Sequence, residues 1–437
     1  MRIAMLGGGL SGISLAYFLQ DNKKVESIQI FEKEKTIGGL CRSFEINGVT
    51  YDIGPHIMFS KDQEILEVML NVLGDNLQKI RRSNRILYKN RFVKYPFENG
   101  LSALPEKDRE YCVNTFLHNP YRDYEAKNML AFFLKTFGEG ITNLYLRPYN
   151  EKIWKFDPAF MDTQMVKRIP RPPDEDILKS AGGIETEGYL HQLYFYYPKS
   201  GGIQSLVESF RSRLNSKVAI HVEHEVKQVR KLAEKWEIKS GNGGKRLFDL
   251  MVSTIPVQTL VGITENDEKI KRCVDALKYN SIMIGIVNVK CDKAGNNFAF
   301  MIPEKELIFH RLSKIDFLGP AYRKEETVDY MLEVTYKKND LLDTSSDQQI
   351  MEEMIEGLIK IDFIEKKEDV NFTELKRFPF AYVIYDLDHR KNMDLIKAFY
   401  AKEGIYLHGR FGEFEYLNMD AVVRHSKELS RRLKWRR

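Results

Sequence analysis

A glycine-rich segment, GGGLSG at residues 7–12, directly follows a short apolar run at the start of the chain. An apolar stretch comes next, so a strand is expected to run into a tight turn and then a helix. In a dinucleotide-binding βαβ unit, Gly7 permits the turn, Gly9 lets backbone amides approach a pyrophosphate, and Gly12 lets the helix pack on the strand. The helix N-terminus then faces the phosphates with its partial positive charge. The chain is therefore predicted to begin with such a unit.

An acidic residue closes the second predicted strand, SIQIFEK at residues 27–33. Glu32 lies about 20 residues beyond Gly12, where an acidic side chain can accept hydrogen bonds from both ribose hydroxyls. The same carboxylate would repel a 2′-phosphate. The unit is therefore predicted to bind an adenosine diphosphate moiety, and NADP is not expected.

A second pair of glycines follows in GGLCRS, residues 38–43. Gly38 and Gly39 would let the backbone pass close to a bulky cofactor, and Arg42 could neutralise its pyrophosphate. Two glycines followed by a basic residue at this place resemble the FAD-dependent amine oxidoreductase superfamily. The resemblance implies FAD as the cofactor. An ordinary glycine turn is the alternative.

Size and composition fit a cofactor enzyme. With 437 residues, 43% of them hydrophobic, the chain can bury two or three domain cores. No apolar run approaches the roughly 18 residues of a membrane span, and Met1 leads directly into the first strand, so a cytoplasmic protein without a signal peptide is expected. The cysteines are scattered, which predicts reduced thiols and no metal site. They are Cys41, Cys112, Cys273 and Cys291.

Positive charge is concentrated at the end of the sequence. Residues 424–437, RHSKELSRRLKWRR, hold seven Lys or Arg residues and one acid, whereas the whole chain has a formal net charge of +5. This tail is interpreted either as the solvated end of a C-terminal helix or as a peripheral contact with an anionic membrane. Since the rest of the chain has no basic excess, no nucleic-acid partner is expected.

Hydrophobic patterning divides the chain into three predicted parts. Residues 103–192 are mostly helical and rich in aromatic side chains, which predicts an inserted helical domain. Residues 257–395 alternate apolar and polar positions, as in an antiparallel sheet with one buried face that could form a substrate domain. Residues 1–102, 193–256 and 396–437 combine into a discontinuous FAD-binding domain of Rossmann type, similar to glutathione reductase. The expected fold class is α/β.

Five segments sharpen the resemblance and together cover most of the chain. They resemble the UDP-galactopyranose mutase branch of the superfamily, and also its protoporphyrinogen-oxidase-like members. They are YDIGPHIMFS at 51–60, KYPFENGLSALP at 94–105, LRPYNEKIW at 146–154, FHRLSKIDF at 309–317 and GRFGEFEYLNMD at 409–420.

The resemblance assigns three catalytic candidates. Arg147 and Arg311 match the two arginines that bind the substrate pyrophosphate, for which the planar guanidinium is well suited. A helix-end arginine and a cross-strand ion pair are the respective structural alternatives. His56 matches the histidine on the loop that covers the flavin, where it could hydrogen-bond the cofactor; a purely structural histidine is the alternative.

Five aromatic or polar residues are implied to bind substrate. Tyr385 and Tyr416 match tyrosines that reach the substrate phosphates, since a phenol donates a hydrogen bond while its ring closes the pocket. Tyr149, Asn150 and Trp154 could line the nucleotide pocket. Core packing is the alternative for the aromatic side chains.

The resemblance implies that the last of the five segments, residues 409–420, completes the cofactor site. Gly409 and Gly412 would let the loop run close to the flavin, while Asn418, Met419 and Asp420 open the final helix. Its N-terminus could bind the cofactor's pyrophosphate or ribityl chain, although Asp420 could simply cap the helix.

The chain departs from the branch pattern at two places. Pro55 stands where the family commonly has the second glycine of Gly-Gly-His, and proline fixes φ and removes an amide donor. Leu318 replaces a tyrosine that often follows the second arginine by seven residues. Both departures leave the substrate open.

The resemblance implies an FAD-dependent isomerase. It would convert a nucleotide sugar of the UDP-hexose class between pyranose and furanose forms through a reduced-flavin sugar adduct, for surface polysaccharide synthesis. The reductant of the flavin, NAD(P)H or another donor, is left open. The alternatives are an amine oxidase or protoporphyrinogen-oxidase-like oxidoreductase, and a non-catalytic flavin-binding module.

Overall fold

The computed structural model describes residues 1–166, 169, 173–187, 193–241 and 244–433. Its strands, in chain order, are β1 (Arg2–Leu6), β2 (Ser27–Phe31), β3 (Ser43–Ile46), β4 (Val49–Asp52), β5 (Gln78–Arg81), β6 (Asn84–Tyr88), β7 (Arg91–Lys94), β8 (Tyr194–Tyr197), β9 (Val218–His221), β10 (Val226–Leu232), β11 (Lys235–Ser240), β12 (Lys245–Phe248), β13 (Leu250–Ser253), β14 (Lys278–Val289), β15 (Ala299–Met301), β16 (Arg311–Lys314), β17 (Val328–Tyr336), β18 (Val370–Ile384) and β19 (Ile405–Leu407).

The helices have the following bounds: α1 (Leu10–Leu19), α2 (Gln63–Leu73), α3 (Glu106–Leu117), α4 (Met129–Ile141), α5 (Arg147–Trp154), α6 (Asp174–Ala181), α7 (Gln204–Arg211), α8 (Val257–Ile263), α9 (Glu268–Ala276), α10 (Leu341–Thr344), α11 (Asp347–Lys360), α12 (His389–Glu403) and α13 (Met419–Arg432).

A five-stranded parallel sheet, in the order β19-β13-β1-β2-β9, forms the Rossmann-type part. Its central strand β1 is almost wholly buried, as is usual for a parallel strand covered on both faces. Helices α1 and α13 pack against each other beside it. The three-stranded antiparallel sheet β10-β11-β12 leads into β13. The predicted α/β fold class is confirmed.

A seven-stranded sheet, in the order β18-β14-β17-β16-β15-β6-β7, forms the second layer. Strands β14, β16, β17 and β18 are antiparallel neighbours and hold a core of their own with α11. The structure differs here from the predicted division, which assigned residues 1–102 to the FAD-binding part. Strands β6 and β7 extend this larger sheet, because β6 pairs in parallel with β15 through Asn84 and Ala299. Alternation within a strand indicates a buried face and does not say which sheet it joins.

Helix α5 is fixed to the seven-stranded sheet by a buried lysine. Lys152 Nζ donates to the carbonyl oxygens of Ile302 at 3.0 Å and Glu304 at 2.7 Å. Thr335 on β17 donates to the carbonyl oxygen of Lys152 at 3.0 Å. Burial lowers the pKa of Lys152 to about 7. The helical part and the sheet therefore meet along α5, which also carries three of the predicted substrate residues.

Within the described residues, no helix has the length and apolar character needed to cross a bilayer. Three cysteines are buried as free thiols and Cys291 is exposed. Among the same residues, no group of three or more His, Cys, Asp or Glu side chains could hold a metal ion. The basic tail continues α13 to Arg432, and residues 434–437 lie outside the described part.

Candidate functional site

The first glycine segment forms the turn expected of a dinucleotide-binding unit. Gly7 has φ of +103°, which favours glycine, and its amide donates to the carbonyl oxygen of Phe31 at 2.8 Å. A Cβ on Gly12 would lie 2.3 Å from the carbonyl oxygen of Gly7. Helix α1 can therefore begin directly against β1 only because position 12 has no side chain.

The second glycine pair lies against the first segment. Gly38 donates its amide to the carbonyl oxygen of Gly8 at 2.9 Å, and a Cβ on Gly39 would lie 3.1 Å from Cα of Gly9. Both residues of the pair have positive φ, +126° at Gly38 and +58° at Gly39. Two backbone segments without side chains thus run side by side, which leaves room for a ligand at the helix N-terminus.

Glu32 lies at the end of β2, where the sequence predicts it. Its two oxygens accept from the amide of Gly8 at 2.8 Å and the amide of Glu34 at 2.9 Å. A carboxylate has four lone-pair positions, so these bonds fix the glycine turn and leave acceptors for ribose hydroxyls. The ribose role itself stays a prediction.

Arg42 is held beside the second glycine pair. Its Nε donates to the carbonyl oxygen of Gly39 at 3.1 Å, and its Nη1 lies 3.4 Å from a carboxylate oxygen of Glu34. The side chain is mostly buried. Arg42 is thus positioned at the edge of the glycine segments, with part of its charge compensated by Glu34.

A third glycine segment, residues 409–412, closes against the first. Gly409 has φ of +83°, and a Cβ there would lie 2.1 Å from Oγ of Ser11. A Cβ on Gly412 would lie 2.3 Å from the carbonyl oxygen of His408. We call residues 7–12, 38–39 and 409–412 the cofactor cradle, because their backbones converge at the N-terminus of α1.

The start of α13 also meets expectation in position, with one difference in detail. Asn418 is the residue before the helix, and the helix begins at Met419. Asp420 accepts from Oγ of Ser60 at 2.7 Å. Its carboxylate therefore ties α13 to the loop after β4, which is a third outcome beside the two that the sequence left open.

Arg410 lies within the third segment and was not singled out from the sequence. Its guanidinium stands 4.2 Å from the ring centroid of Tyr416 and 5.5 Å from that of Tyr382. Its Nε and Nη2 are buried and have no hydrogen-bond partner in the described part of the chain. Buried guanidinium donors normally have acceptors, so this arrangement fits an acceptor-rich group such as a flavin ring bound in the cradle. The signal in the sequence that could have singled out Arg410 was its position between Gly409 and Gly412.

Arg311 is paired with an acid that the sequence analysis also missed. Its Nε donates to Oε1 of Glu333, and its Nη2 donates to Oε2 of the same carboxylate at 2.5 Å. Glu333 is fully buried, and Arg311 is 24% exposed at its side chain. A Cβ on Gly54 would lie 3.0 Å from Oε2 of Glu333, so the His56 loop contacts this pair. The signal was a single acid in the apolar strand YMLEVTY.

The predicted aromatic residues gather around the arginines. Trp154 lies edge-on to Tyr382 and Tyr416, at centroid distances of 5.7 Å and 5.6 Å. Trp154 Nε1 donates to Oδ1 of Asn150 at 2.8 Å. The hydroxyl of Tyr385 accepts the amide of Tyr416 at 2.7 Å. Trp154 and Tyr416 thus form one wall, with Asn150 and Tyr385 as positioning partners.

Tyr149 joins the site and Arg147 does not. Tyr149 lies near Arg311, and burial is the main cause that raises its phenol pKa. Arg147 is 43% exposed at its side chain and donates to Glu151 at 2.7 Å on the same helix. Glu151 also pairs with Lys305 at 2.9 Å. Two residues apart on a helix point in nearly opposite directions, so Arg147 faces outward where Tyr149 faces the site.

A basic cavity of about 520 Å³ opens beyond Tyr95 and Arg82. Arg82, which lines the cavity, lies close enough to Tyr95 and to Arg311 for their charges to interact. Five cationic side chains and two carboxylates line it. The lining residues are Ile80, Arg81, Arg82, Ser83, Asn84, Arg85, Lys94, Tyr95, Pro96, Glu185, Glu187, Leu193, Asn296, Phe317 and Arg323.

One of the two carboxylates that line the basic cavity is already paired. Glu187 lies 3.2 Å from Arg81 and 3.8 Å from Lys94. Within the described residues, Arg85 and Arg323 form no ion pair; Arg85 Nε donates to Asn297 at 3.0 Å, and Arg323 Nε donates to a backbone carbonyl at 3.3 Å. The cavity thus keeps a positive excess that favours an anionic ligand.

Replacing His56 with glutamine is expected to make the protein less sensitive to acid. Burial lowers the pKa of His56 to about 4, and Arg410 and Arg311 add repulsion. Between pH 6.5 and 4 the unfolded chain takes up a proton that the folded chain does not, which costs roughly 2 to 3 kcal/mol of unfolding free energy at pH 4.5. Urea unfolding at pH 7.5 and pH 4.5 measures this loss in both proteins. An equal loss of unfolding free energy in wild type and variant would contradict the prediction that the His56 imidazole is neutral in the folded protein.

Comparison with known proteins supports the fold at two levels. Residues 5–73 match the family model of the NAD(P)-binding Rossmann-like domain. An uncharacterized protein in the nifH2 3′ region of Methanothermococcus thermolithotrophicus is 41% identical over 71 residues, 16% of this chain and 67% of that protein. The family model covers the N-terminal unit with its first two glycine segments.

Two solved structures match nearly the whole chain. Reduced UDP-galactopyranose mutase superposes with a TM-score of 0.88 at 24% identity, covering 98% of this chain and 94% of that one. A putative protoporphyrinogen oxidase from Exiguobacterium sp. 255-15 gives a TM-score of 0.78 at 16% identity, covering 98% of both. The chain therefore belongs to one family with the Methanothermococcus protein, matches the NAD(P)-binding Rossmann-like domain over residues 5–73, and has the fold of these two solved structures.

Proposed function

We propose that the protein is an FAD-dependent enzyme of the UDP-galactopyranose mutase type, which isomerises a nucleotide sugar between ring forms. The observation that carries the proposal is the basic cavity, whose lining residue Arg82 lies near the Arg311–Glu333 pair. A nucleotide sugar brings a pyrophosphate, and forked guanidinium donors recognise phosphate oxygens better than any other side chain. The likeness of the whole chain to reduced UDP-galactopyranose mutase supports the same choice.

The cradle has the shape and the donors that FAD requires. Its three backbone segments lack side chains where the pyrophosphate would pass, and Glu32 offers acceptors to the ribose. Arg410, within the third segment of the cradle, offers buried hydrogen-bond donors. When bound, FAD supplies reducible ring chemistry that no side chain provides.

The protein's own part in the reaction is to orient the substrate and stabilise charge. Glu333 occupies Nε and Nη2 of Arg311 and fixes the plane of the guanidinium, which leaves Nη1 to face a phosphate oxygen. Trp154 and Tyr416 close one side of the site with apolar rings. Negative charge develops on the pyrophosphate when its bond to the sugar breaks. Excluding water strengthens the contact between that charge and Arg311.

An oxidase acting on an amine or an apolar ring remains the competing function, since a putative protoporphyrinogen oxidase has the same fold. Such a substrate favours a largely apolar cavity. Five cationic side chains at the cavity oppose both an ammonium group and an uncharged ring. A non-catalytic flavin-binding module would have no need of the cavity at all.

The proposal is tested with the purified yellow protein under anaerobic conditions. UDP is titrated into the oxidised and the dithionite-reduced protein while intrinsic fluorescence is recorded, and UDP-galactopyranose conversion is followed by chromatography. Saturable UDP binding together with a new isomer formed only by reduced protein would support the mutase. Absence of UDP binding in both redox states would overturn it and direct the search to amine and ring substrates.

Replacing Arg85 or Arg323 with glutamine is expected to weaken UDP binding about 10-fold each, because each removes one unpaired charge from the cavity. The salt dependence of binding should become shallower at the same time. Titrations at 50 mM and 300 mM NaCl measure both effects. Arg211→Gln, on the exposed surface of α7, is the matched control and should bind UDP like the wild type. Unchanged affinity and salt dependence in both cavity variants would contradict an anionic ligand there.

A further inference from the structure

A chain of buried hydrogen bonds lies behind the cofactor cradle and is not used by the proposed chemistry. Nε2 of His408 lies 2.8 Å from Oγ of Ser426, and that hydroxyl lies 2.8 Å from Oγ of Ser14. All three residues are almost completely buried. The chain therefore connects the end of β19, helix α13 and helix α1 within the protein interior.

Glu413 is the centre of the same network. One carboxylate oxygen lies 3.1 Å from Nδ1 of His408 and accepts the amide of Gly409 at 2.9 Å. The other oxygen lies 2.9 Å from Nδ1 of His425 on α13. Two imidazoles and one backbone amide thus share the carboxylate of Glu413. This carboxylate links His408 and Gly409 to His425 on α13.

The network controls the part of the loop that touches the cradle. Gly409, whose amide Glu413 binds, packs on Ser11 so closely that a Cβ would lie 2.1 Å from its Oγ. The residue after Gly409 is Arg410, whose buried donors face the site. Glu413 also donates its own amide to the carbonyl oxygen of Gly409 at 2.8 Å. The conformation at 409–410 is therefore set from behind by Glu413.

The charges of the network depend on pH in one direction. Burial opposes the charge of Glu413, but hydrogen bonds from His408 and His425 outweigh it and lower the pKa of the carboxyl. The bond to Glu413 raises the pKa of His425, to which Glu415 and Glu428 also contribute. The pair with His425 is thus weakened as the pH rises through the raised pKa of His425.

We propose that His408, Glu413 and Ser426 are positioning residues that hold the loop 409–412 in the conformation that binds FAD, acting through Gly409 and without touching the cofactor. The inference rests on the proposed FAD binding. It goes beyond that binding because it assigns cofactor retention to a network outside the cradle. Since the His425 pair is part of the network, FAD affinity falls on the alkaline side.

The test measures FAD affinity separately from folding. Apoprotein of the full chain, prepared by acid ammonium sulfate, is titrated with FAD by fluorescence, and the thermal midpoints of apoprotein and FAD-bound protein are recorded. Glu413→Gln is expected to raise the Kd for FAD at least about 10-fold, and to shrink the midpoint gain on adding FAD. Glu403→Gln, at the end of α12 and with the same change of charge, is the matched control and should keep the wild-type Kd.

Two further variants keep the test decisive. Ser426→Ala removes one hydroxyl from α13, and is expected to raise the Kd in the same direction even if Glu413→Gln does not fold. In the wild type, the Kd should rise as the pH is raised through the pKa of His425, and His425→Asn should flatten that rise. Equal FAD affinity in wild type and all foldable network variants, with only a lower apoprotein midpoint, would overturn the inference. Failure of the wild type itself to bind FAD would instead overturn the proposed function.

Discussion

Replacing Arg311 with alanine is expected to lower the unfolding free energy by about 3 to 5 kcal/mol and to abolish measurable UDP binding. The large stability effect follows because Glu333 is fully buried and would be left as an uncompensated carboxylate. The binding effect follows because Arg311 lies near Arg82 of the basic cavity and near the buried Tyr149. Urea unfolding at pH 7.5 and fluorescence titration with UDP measure the two effects on the same preparation.

A double variant separates the two roles of Arg311. Arg311→Met with Glu333→Leu replaces the buried pair by apolar side chains of similar size, a change that is often neutral or stabilising. We expect stability to return towards the wild-type value while UDP binding stays lost. If the double variant bound UDP with wild-type affinity, the pyrophosphate role of Arg311 would be refuted even though its structural role stood.

Replacing Gly12 with alanine is expected to weaken FAD binding about 100-fold, or about 2.7 kcal/mol. The added Cβ would lie 2.3 Å from the carbonyl oxygen of Gly7, and a backbone atom cannot swing aside as a side chain can. Helix α1 must therefore move off β1, and its N-terminal amides move with it. Overpacking of this kind also costs about 1 to 3 kcal/mol of stability. Flavin absorbance per protein after purification, and titration of the apoprotein, give the result.

Gly262→Ala in α8 is the matched control for this substitution. A Cβ at that position meets no atom within 4 Å. Alanine is a better helix former than glycine, so the control should be slightly more stable than the wild type and should bind FAD equally. Unchanged flavin content in Gly12→Ala would show that the first glycine segment does not position the cofactor.

The N-terminal unit was predictable because its requirements are local. Gly7 needs a positive φ and Gly12 needs the space of a missing Cβ, and both needs follow from a strand that turns directly into a helix. The acid at the end of β2 is fixed by its distance along the chain. The sequence therefore predicted where the cradle begins and that Glu32 lies at the end of β2 beside it.

Partners distant in sequence were not predictable in the same way. Arg311 and Glu333 face each other because β16 and β17 pair in one particular register, which alternation alone leaves open. Arg410 meets Tyr416 and Tyr382 only after the third glycine segment has folded against α1. Individual residue types were recognisable, but the pairs were not.

The outward direction of Arg147 was not predictable from the resemblance, which matches a residue type and does not say which side of a helix it occupies. Arg147 is 43% exposed at its side chain and pairs with Glu151 on the same helix. Trp154, seven residues further along, is buried. A π-helical turn, Thr142–Leu146, lies directly before α5.

The cradle is assembled from opposite ends of the polypeptide, and this gives cofactor capture a place in time. Ser14 and Ser426 are 412 residues apart in sequence and yet share a hydrogen bond. A nascent chain that has emerged only as far as residue 400 already displays GGGLSG, but lacks β19 and the segment that closes on Ser11. Since the N-terminal part of a chain folds first during synthesis, the cradle is complete only after nearly the whole chain has been made. A chain that ends before residue 409 would lack one of the three segments of the cradle.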